Sequence, residues 1–440
     1  MHRAGPRGGR VVTSQLVDEA AAVRVPSRRG HRRRGARFVV RAGRTVRYAA
    51  PALLGYLVVR AIGVAVLLNW HSQSIMNPAY RQFSGGHHAT ALIQLATLWD
   101  AQWYLDIAHH GYAGTPAHPG PFGPYQPYAF FPVYPTLIRV VWTVLPLPLH
   151  YAALLTAWVA ALAAAWGVFA VADKLYGRRA GVIAAVLWGV TPYAVVESMA
   201  YSELPFCALA AWTMYAAVTR RWILAGVLST LAGLTRPTGV AVAAAVGIGA
   251  AWVLVSQWWR ARRGDLPAEE RVAWWRLVLG GAIAPVGFVG FIAWVGVVKG
   301  RMDAYFRIQD AWQSHFDYGR STWDSFHHML TVPGGVWLTD LVVAVVLVVS
   351  GLLLVLSVLQ RQPLPLLVFS AVTLLLAVGD AAYFNSRARF LVPAFALLFP
   401  LAANLARVRT RAAAPMVLAS AAVCSALYGG YVVFVYPNSP

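Results

Sequence analysis

Residues 339–359 read TDLVVAVVLVVSGLLLVLSVL, twenty-one positions whose one charged residue, Asp340, stands at the leading edge. About 20 apolar residues in helical form cross roughly 30 Å of hydrocarbon, and a helix satisfies its own backbone groups where lipid offers no partner. Working outward, similar apolar stretches lie near 49–69, 152–172, 180–197, 203–219, 238–258, 277–298, 364–384, 390–406 and 414–435. Two shorter ones, near 130–147 and 222–236, fall between a tilted span and a half-helix. The composition requires the same solvent: 59% of the 440 residues are hydrophobic and 12% charged, more apolar surface than one soluble core could hide. The expected fold class is an all-α polytopic membrane protein, a bundle of about 10–12 spans.

Positive charge orients the bundle. The chain carries a formal +21. Before residue 48, thirteen arginines against Asp18 and Glu19 give a net of +11. Residues 1–47 therefore read as a disordered basic cytoplasmic tail, whose nearest anionic partner is a lipid headgroup rather than nucleic acid. The run from Lys174 to Arg179, Arg220–Arg221, Arg260 to Arg276, Arg361 and Arg407 to Arg411 also belong inside by the positive-inside bias. That leaves residues 70–129 and 299–338 as two outer loops of a single domain, 48–436, with a cytoplasmic N-terminus in a plasma membrane. The arrangement closes if 130–147 does not cross and 222–236 does.

The first outer loop holds Leu92 to Ala108, LIQLATLWDAQWYLDIA, which reads as one aromatic-rich amphipathic helix lying in the headgroup layer. Gly111 and Pro116 end it. Few ionisable groups are tolerated near a membrane, so each of the sixteen acids can be weighed. Asp18, Glu19, Asp173, Asp265, Glu269 and Glu270 fall in cytoplasmic polar loops. Asp100, Asp106, Glu197, Glu203, Asp303, Asp310, Asp317, Asp324, Asp340 and Asp380 lie at or beyond the outer face or in spans. Asp100, flanked by Trp99, Trp103 and Tyr104, is partly desolvated by them, which suits a general base. The alternative is an interfacial helix whose aromatics anchor it and whose acid faces water. Helical spacing puts Asp100, Tyr104, Ile107 and Gly111 on one face and Trp99, Trp103, Asp106 and His110 on an adjoining one, so Asp100 and Asp106 do not form a dyad.

Several functions lack their signatures. Cys207 and Cys424 lie far apart in apolar segments and fit no metal or disulfide pattern. The pairs His87–His88, His109–His110 and His327–His328 have no ligand spacing, since adjacent helical residues point about 100° apart. Neither a phosphate-cradling Gly-Lys loop nor a Gly-x-Ser-x-Gly turn occurs. A transporter or lipid flippase would also be basic and polytopic, but such proteins place ionisable sites near mid-membrane in paired halves. Here the polar residues cluster in two outer loops. A non-enzymatic envelope scaffold rests on the tail alone.

The segments Trp99 to Tyr112, WDAQWYLDIAHHGY, and Phe130 to Pro135, FFPVYP, resemble the first-loop signature of the phosphatidylinositol-glycan class V mannosyltransferases and their bacterial relatives. Ala200-Tyr201-Ser202-Glu203 is similar to that family's Tyr-Ser-Glu element, and Leu234 to Gly239 to its Thr-Arg-x-x-Gly element. Ala304 to His315, with Gln309, Trp312 and His315 at i, i+3 and i+6, is similar to its second outer loop, and Ser386 to Phe390 to its late arginine motif. The resemblance spans residues 97–393. Ala101, where the family commonly has Gly, Val133, where it has Leu, and Leu204-Pro205 after the Tyr-Ser-Glu element are departures that bear on substrate preference.

The resemblance implies a GT-C-type glycosyltransferase moving mannose from polyprenyl-phosphate mannose to a hydroxyl of a lipid-linked or envelope glycan. The transfer would invert the anomeric centre, and the solitary Asp100 would serve as base. Arg236, Arg387 and Arg389 would face the departing phosphate. Trp99, Gln102, Trp103, Tyr104, Asp106, Tyr134, Tyr201, Glu203, Gln309, Trp312 and His315 would line the substrates, Glu203 either orienting an acceptor hydroxyl or pairing with an arginine. No metal or cofactor is expected beyond the lipid-linked donor itself. A GT-C enzyme of another lipid-linked sugar is the nearest rival.

Overall fold

The structure, a computed structural model, describes residues 28–76, 90–332, 334–381 and 383–436. The chain divides into two units, Met1–Tyr48 and Ala49–Pro440. Most of the expected tail lies outside the described residues, but its last part is helical: α1 runs Arg28–Met76. His87 and His88 also fall outside them.

After α1 come α2 (Ala91–Thr97), α3 (Asp100–Gly114), α4 (Val133–Val144), α5 (Leu149–Tyr176) and α6 (Arg178–Trp188). A 3-10 turn, Ala194–Ser198, leads to α7 (Glu203–Val218), α8 (Trp222–Gly233), α9 (Gly239–Arg262), α10 (Trp274–Ile283) and α11 (Val286–Lys299). The segment 299–338 carries α12 (Ala304–Asp310) and α13 (Arg320–Thr331). It is followed by α14 (Leu338–Leu359), α15 (Leu364–Gly379), α16 (Arg387–Phe390), α17 (Phe399–Arg407) and α18 (Ala413–Phe434). Among the described residues there is no strand beyond two isolated bridges.

Among the described residues, six helices are long and apolar enough to cross a membrane: Thr45–Ser72, Leu149–Tyr176, Gly239–Arg262, Trp274–Lys299, Leu338–Leu359 and Ala413–Phe434. The remaining four of the ten long apolar stretches take other forms. The stretch 180–197 stops as a helix at Trp188, before Thr191-Pro192. The stretches 203–219 and 364–384 are sixteen-residue helices, about 24 Å at 1.5 Å per residue. Residues 390–406 belong to a pair of helical pieces, Phe384–Phe390 and Phe395–Arg407, bent by 75°. The two intermediate stretches, 130–147 and 222–236, are equal in this respect, each a twelve-residue helix of about 18 Å. Hydropathy counted apolar residues. It did not see where proline and short polar turns divide them.

Helix α5 is central, packed against α7, α6, α4 and α2 through small residues; Ala153, Ala157, Ala164 and Ala165 are fully buried. Small residues let helix backbones approach where lipid supplies no hydrophobic drive between helices. The closest approach is at α8 and α11, where a methyl group on Gly287 would collide with the Thr230 carbonyl.

The largest departure lies in the segment 70–129. The single amphipathic helix expected over residues 92–108 is two helices broken at Leu98 and Trp99. Trp99 adopts φ 51°, ψ −120°, and Ala101 N–H reaches back to the Leu98 carbonyl at 3.2 Å, the geometry of a II′-type turn that favours glycine. Hydropathy is continuous across the break, so periodicity could not reveal it.

Candidate active site

The break makes Asp100 the first residue of α3, where the helix dipole favours a carboxylate. Tyr104, Ile107 and Ala108 turn inward. Asp106 is half-buried on another face and Gln102 is exposed. The helical reading that separated Asp100 from Asp106 therefore holds, and the structure does not bring Gln102 or Asp106 into the network described next.

Two backbone bonds tie sequence motifs to their neighbours. Ala200 N–H donates to the Leu95 carbonyl at 3.0 Å, tying the Tyr201-Ser202-Glu203 motif to α2, and Val133 N–H donates to the Leu234 carbonyl at 3.1 Å, tying α4 to the 235–239 turn. Glu203 opens α7, and Arg236 sits in the turn between α8 and α9. Arg389, on the short α16, completes the group.

Their side chains form one network. Arg389 Nη1 stands 2.9 Å from Asp100 Oδ2, and its Nε 3.4 Å from Glu203 Oε1. Arg236 Nη1 stands 2.6 Å from Glu203 Oε2 and donates to Ser202 Oγ at 3.0 Å. That hydroxyl is also 2.6 Å from the Tyr104 hydroxyl. Tyr104 packs edge-on to Tyr134, with ring centres 5.0 Å apart, and the Arg389 guanidinium lies 5.5 Å from the Tyr201 ring centre. Burial pushes the Tyr104 phenol well above its ordinary range, so this hydroxyl acts as a neutral hydrogen-bonding group.

Two expectations change here. Asp100 is not solitary, because Glu203 shares Arg389 with it. Arg236 and Arg389 point into carboxylates rather than standing free for a phosphate. The two acids differ in access: the Asp100 side chain is 28% exposed and that of Glu203 1%. Of the pair, Asp100 is the one a ligand can reach.

Beside the network lies an aromatic shell. Trp103, one turn along α3 from Asp100, stacks on Phe130 at 5.5 Å and meets His118 at 5.0 Å and Trp312 at 6.0 Å. Trp312 in turn meets Tyr125 at 4.6 Å. His118 and Tyr125 are paired by backbone bonds of 3.0 and 2.8 Å, which folds the Pro- and Gly-rich loop back over α3. Trp103, Trp312 and Tyr125 keep partly exposed faces.

Residues 304–315 are not one regular helix. Helix α12 ends at Asp310 and Gln313 has φ 55°, so Gln309, Trp312 and His315 do not share a face. Gln309 Nε2 donates to the Tyr305 hydroxyl at 2.7 Å, Trp312 joins the shell, and His315 is exposed. Arg387 belongs to a second polar cluster. Its Nη2 donates to Ser321 Oγ and the Asp380 carbonyl, both at 2.7 Å, and Ser314 Oγ donates to Asp380 Oδ1 at 3.2 Å.

Sequence reasoning passed over Ser202, Tyr125, His118 and Ser321 as site residues. Ser202 lay inside a quoted motif, whereas the others become neighbours only through the tertiary fold. Among the described residues no group of three or more His, Cys, Asp or Glu side chains is placed to hold a metal ion.

Residues 126–282 match the family model of dolichyl-phosphate-mannose-protein mannosyltransferases. No curated protein matches the chain. Among solved structures, the chain is similar to ArnT from Cupriavidus metallidurans bound to undecaprenyl phosphate, with 16% identity over 87% of this chain and 66% of that one and a TM-score of 0.49. It is also similar to the oligosaccharyltransferase AglB from Archaeoglobus fulgidus in complex with an inhibitory peptide and a dolichol-phosphate. There the identity is 14% over 86% of this chain and 56% of that one, with a TM-score of 0.44. The chain thus spans less than two thirds of either structure's length. The matched segment 126–282 contains Tyr134, Tyr201, Ser202, Glu203 and Arg236, so the family model reaches the candidate site and supports the resemblance to GT-C glycosyltransferases read from the motifs.

Proposed function

We propose that the chain is a membrane glycosyltransferase that moves a sugar, mannose by the resemblance, from a polyprenyl-phosphate donor to a hydroxyl of a lipid-linked or envelope glycan. The observation that carries this reading is the asymmetry of the two carboxylates on Arg389: Glu203 is sealed between two arginines, while Asp100 is oriented by one of them and open on its other side.

In the proposed step the acceptor hydroxyl hands its proton to Asp100 as its oxygen bonds to the anomeric carbon from the face opposite the phosphate. The bond from that carbon to the phosphate oxygen breaks, and the polyprenyl phosphate leaves with the electron pair, giving an inverted product. Tyr104 and Ser202 hold the network in register. Of the three arginines, Arg236 and Arg389 are paired with Glu203 and Asp100, whereas Arg387 is paired with neither and has its Nε and Nη1 buried without a hydrogen-bond partner, leaving donors for the phosphate. The aromatic shell begins one helical turn from Asp100, about 4.5 Å along α3, and offers apolar faces on which an acceptor ring can lie. The positive-inside bias of the short loops supports an extracytoplasmic position for the site.

The test is transfer of label from polyprenyl-phosphate mannose in membranes holding equal amounts of wild type and Asp100→Asn. A positioned base contributes about 10²–10⁴-fold, and a loss of that size is expected. Equal transfer by both proteins would remove Asp100 from the role. Absence of transfer by wild type to any glycan acceptor, with transfer from a different lipid-linked sugar, would move the enzyme to another donor.

A further inference from the structure

Arg60 sits near the middle of the first apolar span, where an ionisable group is costly without a partner. It is buried, its Nη1 donates to the Ala194 carbonyl, and the same nitrogen stands 3.8 Å from Glu197 Oε2. Glu197 is itself fully enclosed. The sequence admits this arrangement through glycine: a side chain on Gly63 would occupy the space of the Arg60 guanidinium, and one on Gly189 would strike the Tyr56 ring. Tyr56, one turn before Arg60, stacks on Trp188 with ring centres 5.4 Å apart. One face of α1 is thereby locked to the end of α6 and the turn beyond it.

What that turn leads to gives the pair its significance. From Thr191 to Ser202 the backbone is held by short-range turn bonds rather than a regular helix. Its outside attachments include the pair itself, the Trp158 indole, which donates to the Ser198 carbonyl at 3.2 Å, and the bond from Ala200 to Leu95 at 3.0 Å. Ser202 and Glu203 follow directly. A displacement at residues 194–197 therefore reaches the candidate site by two routes, along the chain into Ser202 and Glu203 and across the bond from Ala200 to Leu95 into the helix that precedes Asp100. A buried ion pair contributes little net stability compared with apolar side chains of the same volume, whereas its geometry is specific.

We propose that Arg60 and Glu197 are positioning residues for the transfer reaction, holding the 194–203 segment so that Glu203 and Ser202 keep their spacing from Asp100. This rests on the glycosyltransferase reading, and the test separates the two. Arg60→Met alone leaves the buried Glu197 carboxyl without its arginine and lowers thermal stability. Arg60→Met with Glu197→Met removes both polar groups and should restore the unfolding midpoint. Positioning predicts that the restored double variant still shows kcat at least tenfold below wild type, with donor KM changed less than about twofold. It also predicts faster amide exchange that starts at residues 194–197 and extends into residues 198–203 and 95–104. Recovery of kcat together with stability would overturn the proposal, as would wild-type exchange in residues 198–203 and 95–104. The exchange measurement needs no substrate, so an inactive wild type would count against the enzymatic reading while the exchange pattern still decided the role of the pair. Arg60→Lys keeps the charge but lacks the forked donors and should give an intermediate kcat.

Discussion

Arg389 Nη1 lies 2.9 Å from Asp100 Oδ2, joining the late arginine motif to one almost three hundred residues earlier. The same guanidinium approaches Glu203, so one planar cation sets the relative position of two acids. A lysine carries the charge without the planar fork. Arg389→Lys is expected to lower kcat at least tenfold in the transfer assay while the protein still folds. Arg389→Met, which leaves a buried carboxylate with one partner fewer, should also cost about 1–3 kcal/mol of stability, read as a lowered unfolding midpoint in detergent. Unchanged kcat in Arg389→Lys would mean that the fork is not used.

Tyr104 tests the hydrogen-bonded side of the network. Burial raises its phenol far above neutral pH, so the group stays protonated in the folded enzyme across the assay range, and no titration of Tyr104 shapes the pH profile. Tyr104→Phe removes the 2.6 Å contact with Ser202, which still accepts from Arg236. The expected outcome is a several-fold fall in kcat with the pH–rate curve unshifted. A displaced basic limb would show that the phenol titrates.

What was legible in the sequence divides along a physical line. Spans such as 339–359 were read correctly because hydropathy reports burial in lipid directly, and Asp100 could be singled out because acids in an apolar chain stand out one by one, whereas Glu203, Arg236, Arg387 and Arg389 were reached through motifs similar to those of a known family. The break at Leu98 and Trp99 was invisible because a II′-type turn at a tryptophan has no local signature; glycine would have announced it. The sharing of Arg389 by Asp100 and Glu203 was equally hidden, since spacing along a chain says nothing about contacts between α3, α7 and α16. The i, i+3, i+6 pattern at Gln309, Trp312 and His315 misled for a related reason: helical spacing was assumed through residues where α12 had already ended.

The aromatic shell makes a prediction about the acceptor. Trp312 touches Trp103, Phe130 and Tyr125 but belongs to the segment after α12, so shortening it opens the shell without altering α3. Trp312→Leu should raise the acceptor KM at least tenfold and leave the donor KM within about twofold. Parallel rises in both constants would instead indicate a general loosening of the loops.

The segment that opens with Arg301 carries its own ionic clasp. Hydrogen bonds from Arg301 and then Arg307 hold the Asp303 carboxyl well below the ordinary carboxylate range. A depressed folded value stabilises above the unfolded value and is lost only as pH falls through the folded one. The clasp should therefore contribute equally from about pH 5 to about pH 9. The difference in unfolding midpoint between wild type and Asp303→Asn is expected to be constant over that window and to shrink only in stronger acid; a difference that changes near neutrality would assign the effect to another group.

Trp99 offers the sharpest comparison between a continuous helix and the observed break. In a helix interior glycine is about 1 kcal/mol worse than alanine. At φ 51°, ψ −120° the order reverses, because alanine keeps the strain of a sparsely populated conformation, of order 1–3 kcal/mol, and glycine does not. Both substitutions lose the same indole packing, so their difference isolates the backbone. Trp99→Gly is expected to unfold at a higher temperature than Trp99→Ala, and the reverse order would restore the single helix. Activity adds a second reading. The turn aims Asp100 at Arg389, and the glycine variant keeps that turn while gaining freedom to leave it. Trp99→Gly should therefore retain more transfer activity than Trp99→Ala, and both should fall below wild type.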